Sequence, residues 1–226
     1  MERNARLIVD GLSKKYTLGG SVVSALNGVS FVVPDAEVVA VCGPSGSGKS
    51  TLFNLIARFD LPDAGSITVD GVSIGSIAQA GLDKFRNRTI GFVFQRFNLI
   101  PVLSAVENVE LALTPQSISS TLRRRKAEEA LDAVGLSARR HHKPDQLSGG
   151  QQQRVAVARA LVCEPKLVLA DEPTGNLDAK SAESILELID RLYVSHKTCF
   201  LVATHDPRVV QAAHRVITLV DGRISI

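Results

Sequence analysis

The sequence predicts an α/β fold with a mixed sheet, a small antiparallel β-subdomain and an inserted α-helical subdomain. Three observations predict it. Four short runs, VVAVC (Val38 to Cys42), IGFVF (Ile90 to Phe94), LVLA (Leu167 to Ala170) and CFLVA (Cys199 to Ala203), are apolar without alternation, as strands covered on both faces are. VSFVV and SITVDGVSI alternate or carry an Asp-Gly turn, which places antiparallel strands beside the first sheet. Between Arg96 and Gln146 the strand signal fades and helical patterns take over. At 226 residues and 45% apolar content the chain can bury the core of a single domain. Residues 1–95 and 163–226 read as the core with its β-subdomain, and 96–162 as the helical subdomain.

In chain order, the first buried strand runs straight into GPSGSGKST and then into the helical STLFNLIARF. This is G-x-x-x-x-G-K-[ST] in the context it requires, between a strand and a helix. Gly43, Ser45, Gly46, Ser47, Gly48 and Thr51 form a loop whose N–H groups turn inward on phosphate oxygens, helped by the partial positive charge of the helix start. Lys49 is placed to reach the β- and γ-phosphates and Ser50 to ligate magnesium. The second strand ends at Gln95. LSAVENVELAL then opens with a capping box, Ser104 and Glu107, and TLRRRKAEEALDAVGL follows as an amphipathic helix. Its RRRK run, Arg123 to Lys126, could contact lipid head groups or nucleic acid, but Leu122, Ala130, Leu131 and Val134 mark a buried side and favour a solvated face. His141 and His142 are adjacent, which is poor metal geometry.

LSGGQQQRVAVARAL, from Leu147, puts two glycines and three glutamines at a helix start far downstream of the phosphate loop. LVLADEPTGNLD ends its strand in two carboxylates. Asp171 suits a water-mediated hold on magnesium, and Glu172 suits polarising or deprotonating the attacking water. CFLVAT ends at His205, which is placed to contact the γ-phosphate or orient that water. In open α/β sheets ligands sit beyond the carboxyl ends of the strands, so these ends are expected to converge on one site.

The charge balance, 26 basic against 23 acidic side chains for a net +3, is too even to suggest a nucleic-acid binder by itself and says little about partners. Three widely spaced cysteines, Cys42, Cys163 and Cys199, indicate neither a disulfide framework nor a zinc site. The N-terminal MERNARLIVDG carries no apolar signal region, and no run approaches the ~18 residues that would cross a bilayer.

Taken together these motifs resemble the nucleotide-binding subunit of ATP-binding cassette (ABC) transporters, over essentially the whole chain. LSGGQ separates that family from kinases and small GTPases, which share the phosphate loop. The resemblance implies a P-loop NTPase (RecA-like) core, ATP and Mg2+ as cofactors, and ATP hydrolysis. It implies that two copies pack head to tail on ATP, the signature of one closing over the γ-phosphate held by the other. Ser148 and the N–H groups of Gly149 and Gly150 then form a second anion site aimed at a neighbour's nucleotide. Carried over position by position, Tyr16 stacks on adenine, Gln95 is the hinge glutamine that senses magnesium and attacking water, and Asp178 is the aspartate of the inter-subunit loop. One departure is Ala36, where the family often has glycine; a slightly different turn is expected there.

IGFVFQRFNLIPVLSAVENVELAL and LADEPTGNLD look like the branch containing lipoprotein-release and macrolide-efflux ATPases. That branch implies a transmembrane permease partner with a large extracytoplasmic domain. Membrane contact is then only through the permease, at the cytoplasmic face of the cell membrane, with no nucleic acid involved. Phe97, Leu99, Ile100, Val102 and Leu103 are more apolar than a surface connection requires, which is expected either of a groove for a cytoplasmic helix of the permease or of burial within the helical insertion. The chain stops at DGRISI without a C-terminal regulatory domain, which fits either a separate subunit or part of a longer polypeptide. The alternative is a soluble ABC-type ATPase not coupled to transport. A chromosome-structure ATPase would need a long coiled coil before the signature and a translation factor usually a second cassette, and neither pattern is present. The cargo is not readable from these residues.

Overall fold

The computed structural model describes residues 5–196 and 198–225. Strands β1 (Ala5–Leu18) and β2 (Ser21–Pro34) form a long antiparallel hairpin, and β4 (Ala64–Val69) with β5 (Val72–Ser73) completes a four-stranded sheet in the order β2-β1-β4-β5. The Asp-Gly turn between β4 and β5 has φ 51° at Asp70 and 76° at Gly71, the mirror-image turn that suits a tight hairpin. The second sheet contains β3 (Val38–Cys42), β6 (Ile90–Val93), β7 (Leu167–Asp171), β8 (Cys199–Thr204), β9 (Arg215–Val220) and β10 (Arg223–Ser225). Its order is β10-β9-β3-β8-β7-β6, parallel except for the antiparallel β9–β10 pair. The expected mixed α/β architecture is therefore present as two sheets.

The continuous apolar runs have a direct cause. Along β7, Val168 and Ala170 enter one apolar core while Leu167 and Leu169 enter another on the opposite face. On β8, Phe200 and Val202 divide in the same way from Cys199, Leu201 and Ala203. Successive side chains point to opposite faces, so a strand buried on both has no place for a polar residue. One core lies under the antiparallel sheet and helix α1 (Lys49–Ile56), whose Leu52, Phe53, Leu55 and Ile56 are fully buried. The other lies under α3 (Ala105–Leu113), α4 (Ser120–Ala133), α5 (Gly149–Leu161) and α6 (Ala179–His196). Two further helices, α2 (Gln79–Thr89) and α7 (Pro207–Ala212), sit beside β6 and β8.

Helix starts follow local chemistry. At α3 the Glu107 carboxylate reaches back to accept from the Ser104 N–H at 2.8 Å and the Ser104 hydroxyl at 2.5 Å, the reciprocal arm of the predicted capping box. Those two bonds hold the Glu107 pKa below its ordinary value. Ala36 takes φ 49°, the left-handed region that glycine favours. Alanine there leaves the turn in a glycine-like conformation and adds a steric cost of about 1–2 kcal/mol. The Tyr193 hydroxyl donates to its carbonyl at 2.9 Å.

Candidate active site

Parallel register brings the predicted strand ends level: Cys42 pairs with Thr204, Asp171 with Ala203, and Val93 with Ala170. Beyond them lies a cavity of about 590 Å³. Its wall includes Ser45, Gly46, Gly48, Lys49, Ser50, Thr51, Gln95, Asp171, Glu172 and His205. Gly48 is the N-cap of α1 at φ 104°, and a Cβ there would lie 2.4 Å from the Ala25 carbonyl oxygen. The position therefore excludes any side chain and lets the loop lie against β2. Lys49 is 7% exposed and its Nζ donates to the carbonyls of Gly43 and Pro44 at 2.8 and 2.9 Å. Ser47, also buried, lies 3.5 Å from the same ammonium through its Oγ. The loop thus concentrates cationic charge where phosphate oxygens would enter.

The two carboxylates differ in setting. Asp171 accepts from the Ser50 hydroxyl at 3.1 Å, and its pKa is raised, first by burial and then by Glu172, against the opposing hydrogen bond from Ser50. Oxygen donors only, beside a phosphate cradle, suit a magnesium ion that keeps phosphate and water ligands. Among the described residues no group of three or more His, Cys, Asp and Glu side chains could hold a metal unaided. Glu172 sits at φ 46°, an uncommon conformation for a side-chain-bearing residue, with its N–H held by the Ala203 carbonyl at 2.9 Å. One carboxylate oxygen lies 2.8 Å from His205 Nδ1; the other accepts from Gln95 Nε2 at 3.2 Å. A carboxylate held at both oxygens is fixed in direction, as a proton acceptor for one water must be.

The signature lies elsewhere. Ser148 caps α5: its Oγ accepts from the Gln151 N–H at 3.3 Å, and the Gln151 side-chain oxygen accepts from the Ser148 N–H at 2.9 Å. The cap leaves the Ser148 hydroxyl proton able to donate outward. A Cβ on Gly150 would stand 3.0 Å from Ser181 Oγ, so the helix start packs closely on α6. Asp178 caps α6 in turn, accepting from the Ser181 hydroxyl at 2.6 Å and N–H at 3.0 Å, which lower its pKa. Ser148, Gly150, Gln151, Arg154 and Lys180 line a separate cavity of about 360 Å³ that shares no wall residue with the first.

Tyr16 stands beside the cavity and does not line it. Its hydroxyl donates to Asp60 at 2.8 Å and Lys14 Nζ lies 5.0 Å from its ring centroid. Burial, and then the Asp60 carboxylate, push its pKa up. The residue facing it across the hairpin, Val23, is 47% exposed and does line the cavity. Nothing in the sequence marked Val23. Of the five groove residues, Val102 and Ile100 are exposed at 73% and 41%, whereas Leu99 packs against the core. His141 and His142 lie against Arg124 and Arg139.

Sequence reasoning also missed the anchor behind His205. Asp206 accepts from Arg208 Nη2 at 2.7 Å, from the Arg208 N–H at 3.0 Å and from the buried Thr174 hydroxyl at 3.0 Å. Arg208 foremost holds its carboxyl at about 2. A pKa depressed on folding contributes stability that is complete above the unfolded value of about 4 and is lost as pH falls towards 2. Asp206→Asn should therefore cost about 1 kcal/mol at pH 7, a partner at the surface weakening the pair, and almost nothing at pH 2. Parallel thermal melts at the two pH values check this; an equal difference at both would show that the charge is not what anchors the loop.

A phosphate loop at the carboxyl end of a parallel strand, with a held carboxylate pair facing it, defines a P-loop nucleoside-triphosphate hydrolase. The ABC transporter family matches this chain over residues 26–175, and the chain belongs to that family as an ATP-binding and ATP-hydrolysing subunit. It is 49% identical to an uncharacterized ABC transporter ATP-binding protein of Thermotoga maritima, covering 93% of this chain and 90% of the relative. Against the lipoprotein-releasing system ATP-binding protein LolD of Syntrophotalea carbinolica it is 44% identical over the full length of both. The macrolide export ATP-binding/permease protein MacB of Hyphomonas neptunium is 46% identical over 94% of this chain, which spans 33% of that longer protein. Among solved structures, the dimeric ATP-binding cassette MJ0796 in a post-hydrolysis state with ADP and Pi superposes with a TM-score of 0.89 at 42% identity, covering 97% of each chain.

Proposed function

We propose that two copies of this chain close head to tail on ATP and that the closure drives a transmembrane permease of the lipoprotein-release or macrolide-export type. The observation that carries the reading is the division of the site: the phosphate loop and the signature line separate cavities within one chain. Each then needs a second copy to complete it. Gly43 to Thr51 cradle the phosphates, Lys49 reaches the β- and γ-phosphates, and Tyr16 stacks on adenine beside Val23. Ser50, Asp171 and Gln95 hold Mg2+, which when bound would offset phosphate charge. Glu172 takes the proton of the attacking water, with Gln95 and His205 fixing its two oxygens. Ser148 and the N–H groups of Gly149 and Gly150 face the partner's γ-phosphate, and Asp178 orders the loop that runs to the interface. No described helix is long and apolar enough to cross a membrane. In this reading the subunit sits at the cytoplasmic face, held by a permease that carries an extracytoplasmic domain and lays a cytoplasmic helix on the apolar surface at Ile100 and Val102.

Sizing chromatography of Glu172→Gln tests the assembly. A dimer is expected with ATP, and a monomer with ADP or without nucleotide, because only the γ-phosphate bridges the two half-sites. Ser148→Arg in the same background should abolish the ATP dimer. A mass independent of nucleotide, or an ATP dimer indifferent to Ser148→Arg, would sink the shared-site reading. Co-purification with a membrane subunit then separates this reading from a soluble ATPase without transport.

A further inference from the structure

The segment after Gln95 is held in an unusual way. Phe97 and Asn98 are consecutive residues with side chains, yet both lie in the left-handed region, at φ 54° and 49°. Asparagine visits this region readily, but a bulky phenylalanine there is strained and persists only where its surroundings enforce it. The enforcing group is Arg159 on α5. Its Nη1 donates to the Asn98 carbonyl at 2.6 Å and its Nη2 to the Phe97 carbonyl at 2.8 Å. Burial lowers the Arg159 pKa. A half-buried guanidinium spent on two main-chain carbonyls, with no ion pair among the described residues, fixes backbone geometry and adds little net stability.

The fixed segment joins two functional elements. Towards the N-terminus, the Gln95 carbonyl accepts from Asn176 at 2.8 Å and its side chain donates to Glu172. Towards the signature, the Phe97 ring lies 3.9 Å from where a Cβ on Gly149 would stand. Arg159 and Gly149 belong to one rigid helix, so a displacement of the signature moves the clamp as well.

We propose that Arg159 is a positioning residue that ties the signature helix to Gln95, so that a signature engaged on one nucleotide sets the hold on Glu172 at the other. This rests on the paired-subunit reading above. Released from Arg159, the Phe97–Asn98 pair would relax to ordinary backbone angles. Gln95, only two residues away, would then lose its approach to Glu172.

Arg159→Lys keeps the charge but reaches a single carbonyl, and Arg159→Gln removes the charge. Either should lower kcat about tenfold, the scale of coupling through a packed network, while ATP affinity in a Glu172→Gln background stays within about twofold. The decisive measurement is the combination with Gln95→Ala. If Arg159 acts through Gln95, adding Arg159→Lys to Gln95→Ala should lower kcat by no more than about twofold further. A merely structural role would multiply the two losses. Where Arg159→Gln does not fold, by circular dichroism, Arg159→Lys carries the test. Parental kcat in Arg159→Lys, or multiplied losses in the double variant, overturns the proposal. Dimerisation of Glu172→Gln on ATP, measured alongside, keeps the two readings apart. If it fails while the losses are non-additive, the link from Arg159 to Gln95 stands and the communication between two nucleotides falls.

Discussion

Glu172→Gln is expected to bind ATP as the parent does and to turn it over about 10²–10⁴-fold more slowly, the usual contribution of a general base. The substitution is almost isosteric. It leaves the Ala203 hydrogen bond to the Glu172 N–H and the φ of 46° in place, and it does not touch the phosphate loop. What it removes is the negative oxygen, fixed by His205 on one side and Gln95 on the other, on which the water's proton would land. Binding and hydrolysis should therefore separate. Nucleotide titration together with steady-state phosphate release measures both. Residual turnover above about a tenth of the parental rate would move the base elsewhere, since a lost base costs far more than that.

Lys49→Ala should instead lose ATP binding itself, by about 1.5–3 kcal/mol or roughly one to two powers of ten in affinity. The effect has two parts. An ammonium that would meet phosphate oxygens disappears, and the Gly43 and Pro44 carbonyls it holds at 2.8 and 2.9 Å are left facing the incoming anion without a donor. Lys49→Arg is not a rescue, because a planar fork does not fit the place of a point charge wrapped by three oxygens. Equal affinity in titrations of Lys49→Ala and the parent would remove Lys49 from the phosphate site.

The parts of this architecture that could be read from the sequence are those whose cause is local. VVAVC and CFLVA announce β3 and β8 because burial on both faces forbids polar residues, and Ser104 with Glu107 announces the start of α3 because capping is a matter of four residues. Helix α6 is harder to read, because its N-cap Asp178 stands inside a motif whose polar residues have another explanation. β9 and β10 escaped because the exposed face of RVITLV carries Val216 and Val220, which hides the alternation set by the buried Ile217 and Leu219, and because its register comes from β3, far away in sequence. At the site, the strand-end residues were legible from the motifs, and the structure gathers them around one cavity. Their supports were not. Asp206, Thr174, Asn176 and Arg159 act through carbonyls or carboxylates that become neighbours only once the sheet and α5 have packed. No periodicity records such a partner.

Among the described residues, strand β3 pairs with β8 and β9 and with no earlier strand. During synthesis this has a temporal meaning. The strand that carries the phosphate loop leaves the ribosome roughly 150 residues ahead of its partners, or about 10–30 s at ordinary elongation rates. Through that interval VVAVC is an apolar ribbon with both edges open, while the β1–β2 hairpin, built from neighbouring segments, can already form. A nascent chain arrested before Cys199 would carry the whole phosphate-binding motif and no sheet to present it. Nucleotide recognition is thus a late acquisition of the growing polypeptide.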